Sequence, residues 1–77
     1  MKAAFLEVGN YDDPIEAVAV REEVSDLHIG AVEIRSFEHG DDVTHRVIAG
    51  PFHDAAGLAA ARQRLEANQL GARPVEE

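Results

Sequence analysis

Short alternating segments and longer segments of helical spacing divide the chain into six predicted elements. Apolar and polar residues alternate within residues 3–8, 31–37 and 43–49, and a short segment of the same kind spans residues 72–75. Such alternation is typical of strands that bury one face. After the first and third of these strands, apolar residues recur every three or four positions, which predicts helices. The order is therefore strand, helix, strand, strand, helix, strand.

The first helix is predicted from its capping residues and its apolar stripe. Asp13 can cap the start, Pro14 suits the first helical position, and Glu16 lies where an acid belongs in a capping box. The stripe consists of Ala17, Val20, Val24 and Leu27. We expect the helix to end at Gly30, because glycine adopts the left-handed conformation that often closes a helix.

The second helix follows a turn at residues 50–54 and begins after Asp54, which we predict as its cap. Its apolar stripe consists of Leu58, Ala61 and Leu65. We expect it to end near Gly71. In the last strand Pro74 is best tolerated at a sheet edge, since proline cannot donate a ladder hydrogen bond.

The two halves of the chain resemble each other at an offset of 41 residues. Without a gap, Gly9 aligns with Gly50, Asp13 with Asp54, and Arg21 with Arg62; later Ile29-Gly30-Ala31 aligns with Leu70-Gly71-Ala72. We therefore expect two strand–helix–strand units, at about residues 4–35 and 45–76, to superpose.

Two such units with right-handed crossovers predict one α+β domain over residues 1–77. Its fold is a βαββαβ ferredoxin-like sandwich, in which both helices lie on one face of a four-stranded antiparallel sheet. The first and third strands are central neighbours. On the third strand, the predicted inner face is formed by Val43, Val47 and Ala49.

The sheet face away from the helices, called the open face below, remains available to solvent or a partner. On it the alternation places Phe5, Glu7, Glu33, Arg35, Thr44, Arg46 and Ile48.

Charge and composition exclude several classes of function. The 77 residues include no cysteine and carry a net charge of −8. An acidic surface repels phosphate backbones and anionic lipid, so we expect no nucleic-acid partner. The longest apolar run is far short of the ~18 residues that a membrane span needs, so we expect no direct membrane insertion.

The titratable residues show no pattern typical of catalysis, and we read the protein as not an enzyme. His28, His39, His45 and His53 are scattered without a compact ligand spacing, which argues against a metal site. The paired carboxylates at 12–13 and 41–42 are typical of caps and turns. We expect no metal and no cofactor.

Two segments carry a resemblance to a known family. Arg46-Val47-Ile48-Ala49-Gly50-Pro51-Phe52 resembles the second signature of the SPOR (sporulation-related) domain, and Leu6-Glu7-Val8-Gly9-Asn10-Tyr11 is similar to the first. The resemblance implies a bacterial peptidoglycan-binding module of the same βαββαβ fold. Such modules prefer glycan strands stripped of stem peptides, and they collect at the septum during cell division. Their usual glycan surface is the open face.

The resemblance implies glycan-binding roles for Phe5, Glu7, Asn10, Thr44, Arg46 and Ile48. The chain departs from the family's pattern at three places. Glu7 stands where glutamine is usual, Asn10 stands where serine is usual, and Thr44 and His45 precede Arg46 where an aromatic residue is usual.

Alternatives follow from these departures. Glu7 and Arg46 could orient a saccharide, or they could form an exposed cross-strand ion pair worth ~0–1 kcal/mol. Phe5 and Ile48 could stack on sugars, could be ordinary apolar residues of a sheet surface, or could be covered by a terminal segment or a second copy. The alternative function is a diverged interaction or regulatory module whose open face binds a protein instead of glycan. We expect the periplasm or cell envelope if the chain is excised from a longer exported protein, and the cytoplasm if these 77 residues are the whole protein.

Overall fold

The computed structural model describes residues 3–76 and contains the six predicted elements in the predicted order. They are β1 (Ala4–Tyr11), α1 (Pro14–Ser25), β2 (Val32–His39), β3 (Asp42–Phe52), α2 (Ala55–Ala67) and β4 (Arg73–Glu76).

The strands form one antiparallel sheet in the order β2-β3-β1-β4, with both helices on one face. The predicted βαββαβ ferredoxin-like fold, with the first and third strands as central neighbours, is therefore confirmed. Neither helix in the described part of the chain is long and apolar enough to cross a bilayer.

Both helices begin at the predicted caps. The Ile15 amide donates to Asp13 Oδ1 at 2.9 Å, and the Gly57 amide donates to Asp54 Oδ1 at 2.6 Å. Each bond satisfies an amide that has no partner within its helix. Asp13 and Asp54 are 41 residues apart, so the two caps are equivalent in the repeat. Superposition of the two halves stays a prediction.

Both helices end earlier than predicted. α1 stops at Ser25 and α2 at Ala67, and the left-handed residues that follow are His28, with φ of 54°, and Gln69, with φ of 56°. The predicted ends at Gly30 and near Gly71 were wrong. The chain leaves each helix early because the next apolar residues must turn back onto the core, where Leu27, Ile29 and Leu70 pack.

The core lies between the helices and the central strands. Val24 of α1 and Leu65 of α2 are both 0% exposed, as the helical stripes predict. They pack with Leu6, Val8, Ala17, Val47, Ala49, Phe52 and Ala61. Val47 and Ala49 are buried as predicted, but Val43 is 42% exposed. Val43 lies beyond the last pair between β1 and β3, Tyr11 with His45, at the end of the β2–β3 hairpin.

Candidate functional site

An irregularity in β1 brings Asn10 to the open face. Glu7 pairs with Ile48 and Asn10 with Arg46, but Gly9 pairs with Val47, so β1 has one residue more than β3 over this stretch. Such a bulge resets the alternation of side chains. Without it, strict alternation from Glu7 would turn Asn10 toward the helices. The bulge therefore brings Asn10 beside Arg46.

Tyr11 closes the helix side of this bulge. Its ring lies where a β-carbon on residue 9 would stand, so a larger residue at that position would have to displace the ring. Burial first, and then the negative charges of Glu16 and Glu23, raise the pKa of the Tyr11 hydroxyl. Tyr11 thus stays neutral at physiological pH, which is compatible with its packing against the apolar core.

A second irregularity, in β3, lets the Phe5 ring pack closely against the backbone at Gly50. Ala4 pairs with Phe52 and Leu6 with Ala49, so Gly50 and Pro51 together face Phe5. Gly50 has φ of 136°, and a β-carbon there would lie 2.9 Å from Phe5 Cδ1. Glycine is thus required both by its conformation and by the close approach of the ring.

The apolar residues predicted for the site form its floor. Phe5 is 7% exposed and Ile48 is 6% exposed, although both lie on the open face. The Arg35 guanidinium lies over the Phe5 ring at 4.9 Å from its centroid. These two residues therefore offer little surface on which a sugar could stack.

Phe37, which was not among the predicted site residues, supplies an exposed aromatic ring on the open face. Phe37 of β2 pairs with Thr44 of β3 and is 37% exposed. The Arg46 guanidinium lies over its ring at 4.4 Å from the centroid. Thr44, at the position where the resemblance implies an aromatic residue, is thus paired with an aromatic residue of the neighbouring strand. Continuing the alternation of Glu33 and Arg35 by one step would have found it.

Glu7 lies on the other side of the same arginine. Arg46 Nε is 3.5 Å from Glu7 Oε1, with 35% of the Arg46 side chain and 14% of the Glu7 side chain exposed. The contact is an ion pair without hydrogen-bond geometry. Arg46 Nε therefore has no hydrogen-bond partner among the described residues, and the same is true of Thr44 Oγ1. Phe37, Arg46 and Glu7 thus form a row across β2, β3 and β1, called the Arg46 row below.

A second charged pair, Glu33 and Arg35, lies along β2 on the same face. Arg35 Nε donates to Glu33 Oε1 at 2.7 Å. Arg35 also pairs directly across the strands with Arg46, and like charges in such a pair disfavour each other. Each guanidinium is therefore offset by its own carboxylate and its own aromatic ring. The open face carries alternating charges with aromatic groups between them.

One contact on the helix side of the sheet has the residue types of a catalytic pair. Ser36 Oγ lies 2.8 Å from His45 Nδ1, and the two residues are cross-strand partners. Both are near the surface of a regular strand pair, where such hydrogen bonds are an ordinary part of sheet stabilisation. The contact lies on the opposite side of the sheet from the Arg46 row.

No group of three or more histidine, aspartate or glutamate side chains within residues 3–76 is placed to hold a metal ion. A polar cavity of about 570 Å³ lies at the hairpin end between Asp12, His39, Asp41 and His45. It is open and acidic. The chemistry of the open face is thus hydrogen bonding, charge and stacking.

A family model covers almost the whole chain. The family model described as "SPOR domain" matches residues 2–75. The chain belongs to the SPOR domain family. SPOR domains are peptidoglycan-binding modules, generally non-catalytic, that occur in bacterial envelope proteins.

A solved structure shows the same fold. The crystal structure of the RlpA SPOR domain from Pseudomonas aeruginosa matches 96% of this chain and 99% of that chain with a TM-score of 0.88. The sequence identity is 24%, so the likeness concerns the fold. None of the curated proteins compared with the chain matches it.

Proposed function

We propose that this SPOR domain is a non-catalytic module that binds the glycan strands of peptidoglycan on its open face. The observation that supports this most is the Arg46 row, in which Phe37, Arg46 and Glu7 present a ring, a donor and an acceptor side by side. The six residues implied by the family resemblance share this face or its floor.

The row matches the chemistry of an amino sugar. A pyranose ring has an apolar C–H face that packs on an aromatic ring such as Phe37. Its hydroxyl and acetamido groups need both donors and acceptors. Arg46 can donate, Glu7 can accept, and the Asn10 amide can do both.

The preferred ligand in this proposal is a strand without stem peptides, which targets the host protein to the division septum. The open face is the surface of a sheet, and its apolar residues Phe5 and Ile48 are almost fully buried. A ligand must therefore lie along this surface in an extended form. Removal of the stem peptide leaves a lactyl carboxylate on muramic acid, and Arg46 carries the complementary charge. This function places the module in the cell envelope.

Replacing Arg46 with alanine should weaken binding to glycan strands about tenfold or more, because hydrogen bonds to a charged group contribute about 1.5–3 kcal/mol. The measurement is co-sedimentation with amidase-treated sacculi at a series of protein concentrations. Arg62→Ala is the matched control, since Arg62 Nε lies 3.5 Å from Glu66 Oε1 on α2, the same separation as in the Arg46–Glu7 pair.

Equal loss of binding in Arg46→Ala and Arg62→Ala would count against a glycan site at the Arg46 row. If the wild-type domain does not pellet with the treated sacculi at all, the glycan function is wrong. A protein partner on the open face then becomes the first alternative.

Replacing Glu7 with glutamine should strengthen binding severalfold. The change removes a negative charge that faces the muramyl carboxylate and releases the Arg46 guanidinium from its ion pair. It also adds an amide donor. Raising the ionic strength should likewise improve binding by the wild type, because the net charge of −8 repels the anionic strand more than Arg46 alone attracts it, and salt screens charges over about 10 Å at about 0.1 M.

The matched control for this substitution is Glu66→Gln, which removes the carboxylate of the Arg62 pair and should leave binding unchanged. Weaker binding by Glu7→Gln would show instead that the carboxylate accepts a sugar hydroxyl. Thermal melts of each variant check that the fold is retained.

A further inference from the structure

The two edges of the sheet are protected very differently. β4 has four residues and includes Pro74, which cannot donate a hydrogen bond. β2 has eight residues, and they pair with β3 one to one from Val32–Ala49 to His39–Asp42 without a bulge. Proteins usually blunt an exposed edge with a short strand, a proline or a bulge. β2 has none of the three, so its outer edge is able to pair with another strand.

The register shows which backbone groups β2 turns outward. The Gly50 amide donates to the Ala31 carbonyl at 2.9 Å. In an antiparallel pair, residues alternate between bonding to the neighbour and pointing away from it. Along β2 the odd-numbered residues therefore bond to β3. The even-numbered residues, with Ile34 and Ser36 at the middle of the strand, turn their amides and carbonyls outward.

We infer that this edge is a self-association surface, on which β2 of a second copy of the chain pairs antiparallel about a two-fold axis at Ile34. In this register Ile34 of each copy pairs with its equivalent through outward-facing backbone groups. Glu33 of each copy then stands opposite Arg35 of the other. Glu33 and Arg35 of the two copies form non-hydrogen-bonded pairs, in which the side chains of opposed residues approach most closely.

The charges favour this register over its neighbours. An axis at Glu33 would oppose two carboxylates, and an axis at Arg35 would oppose two guanidinium groups, both of which are unfavourable. An axis at Ser36 would set Ile34 against Glu38 of the second copy. Only the axis at Ile34 combines two opposite-charge pairs with an apolar pair.

Within one copy, Arg35 already donates to Glu33 at 2.7 Å. Association would extend this pair into a ring of four alternating charges. The two-fold axis is perpendicular to the sheet, so both open faces would lie on the same side of one eight-stranded sheet. A dimer would thus present two Arg46 rows to one surface, which raises apparent affinity for a repetitive ligand through effective concentration.

The test is sedimentation velocity of the domain alone, up to millimolar concentration and without glycan, so that it is separate from the proposed function. The wild type should show a concentration-dependent monomer–dimer equilibrium. Glu33→Arg and Arg35→Glu should each raise the dimer dissociation constant at least about tenfold, because each turns two attractive pairs into repulsive ones. An equimolar mixture of the two variants should dimerise again, because every opposed pair is then complementary.

Arg62→Glu, a charge reversal of the same size on α2, is the control and should leave the dimer unchanged. Circular dichroism confirms that each variant is folded. A wild type that stays monomeric throughout overturns the inference. So does a dimer that is insensitive to both β2 reversals, or a mixture that fails to associate, since either would place the contact elsewhere or in another register.

Discussion

Replacing Leu65 with alanine should lower the free energy of unfolding by about 2–5 kcal/mol, the range for a leucine truncated in a core. Leu65 is 0% exposed and is the largest side chain that α2 buries. A domain of about this size has a total stability of about 4–12 kcal/mol, so the loss is a large part of it. The melting temperature should fall by at least about 8 °C.

Leu58 provides the matched control, because it belongs to the same helical stripe but is only partly buried. Leu58→Ala makes the same chemical change and should cost clearly less in the same urea or thermal titration. Similar losses for the two variants would mean that the buried face of α2 is centred elsewhere.

The fold could be predicted because its determinants are local and repeated. Asp13 and Asp54 cap the helices through bonds that span two or three residues. Val24 and Leu65 lie at the centres of stripes whose spacing follows from helix geometry alone. The helix ends could not be predicted in this way. His28 and Gln69 adopt positive φ because the next apolar residues turn back to the core, and that demand comes from the tertiary structure.

The candidate site was predicted only in part, because two of its features depend on strand register. Alternation placed Glu7 and Arg46 on one face, and the structure finds them in contact. Asn10 joins them through a bulge that alternation alone does not show. Phe37 was missed because its role comes from pairing with Thr44 on the next strand, although the alternation in β2 contained the signal.

Replacing Gly71 with alanine should destabilise the domain by about 1–3 kcal/mol, the usual cost of overpacking. A β-carbon at this position would overlap the carbonyl oxygen of Val8, which is backbone and cannot rotate away. The chain before β4 would have to move from β1 at the bulge formed by Val8 and Gly9. Because that bulge brings Asn10 beside Arg46, binding to amidase-treated sacculi should weaken as well.

Gly57 offers a control with the same glycine-to-alanine change. It lies in the first turn of α2, where a β-carbon would meet only the Asp54 side chain, 3.1 Å away. Alanine is the better helix former by about 1 kcal/mol, but the Asp54 cap must shift by a few tenths of an ångström to accept it. The two effects oppose each other, so Gly57→Ala should cost clearly less stability than Gly71→Ala and should leave binding unchanged. Urea titrations measure the stability and sacculus pelleting the binding. A Gly71→Ala domain as stable as the wild type would show that β4 shifts without cost. Full binding in a clearly destabilised Gly71→Ala domain would show instead that the bulge does not set the geometry of the Arg46 row.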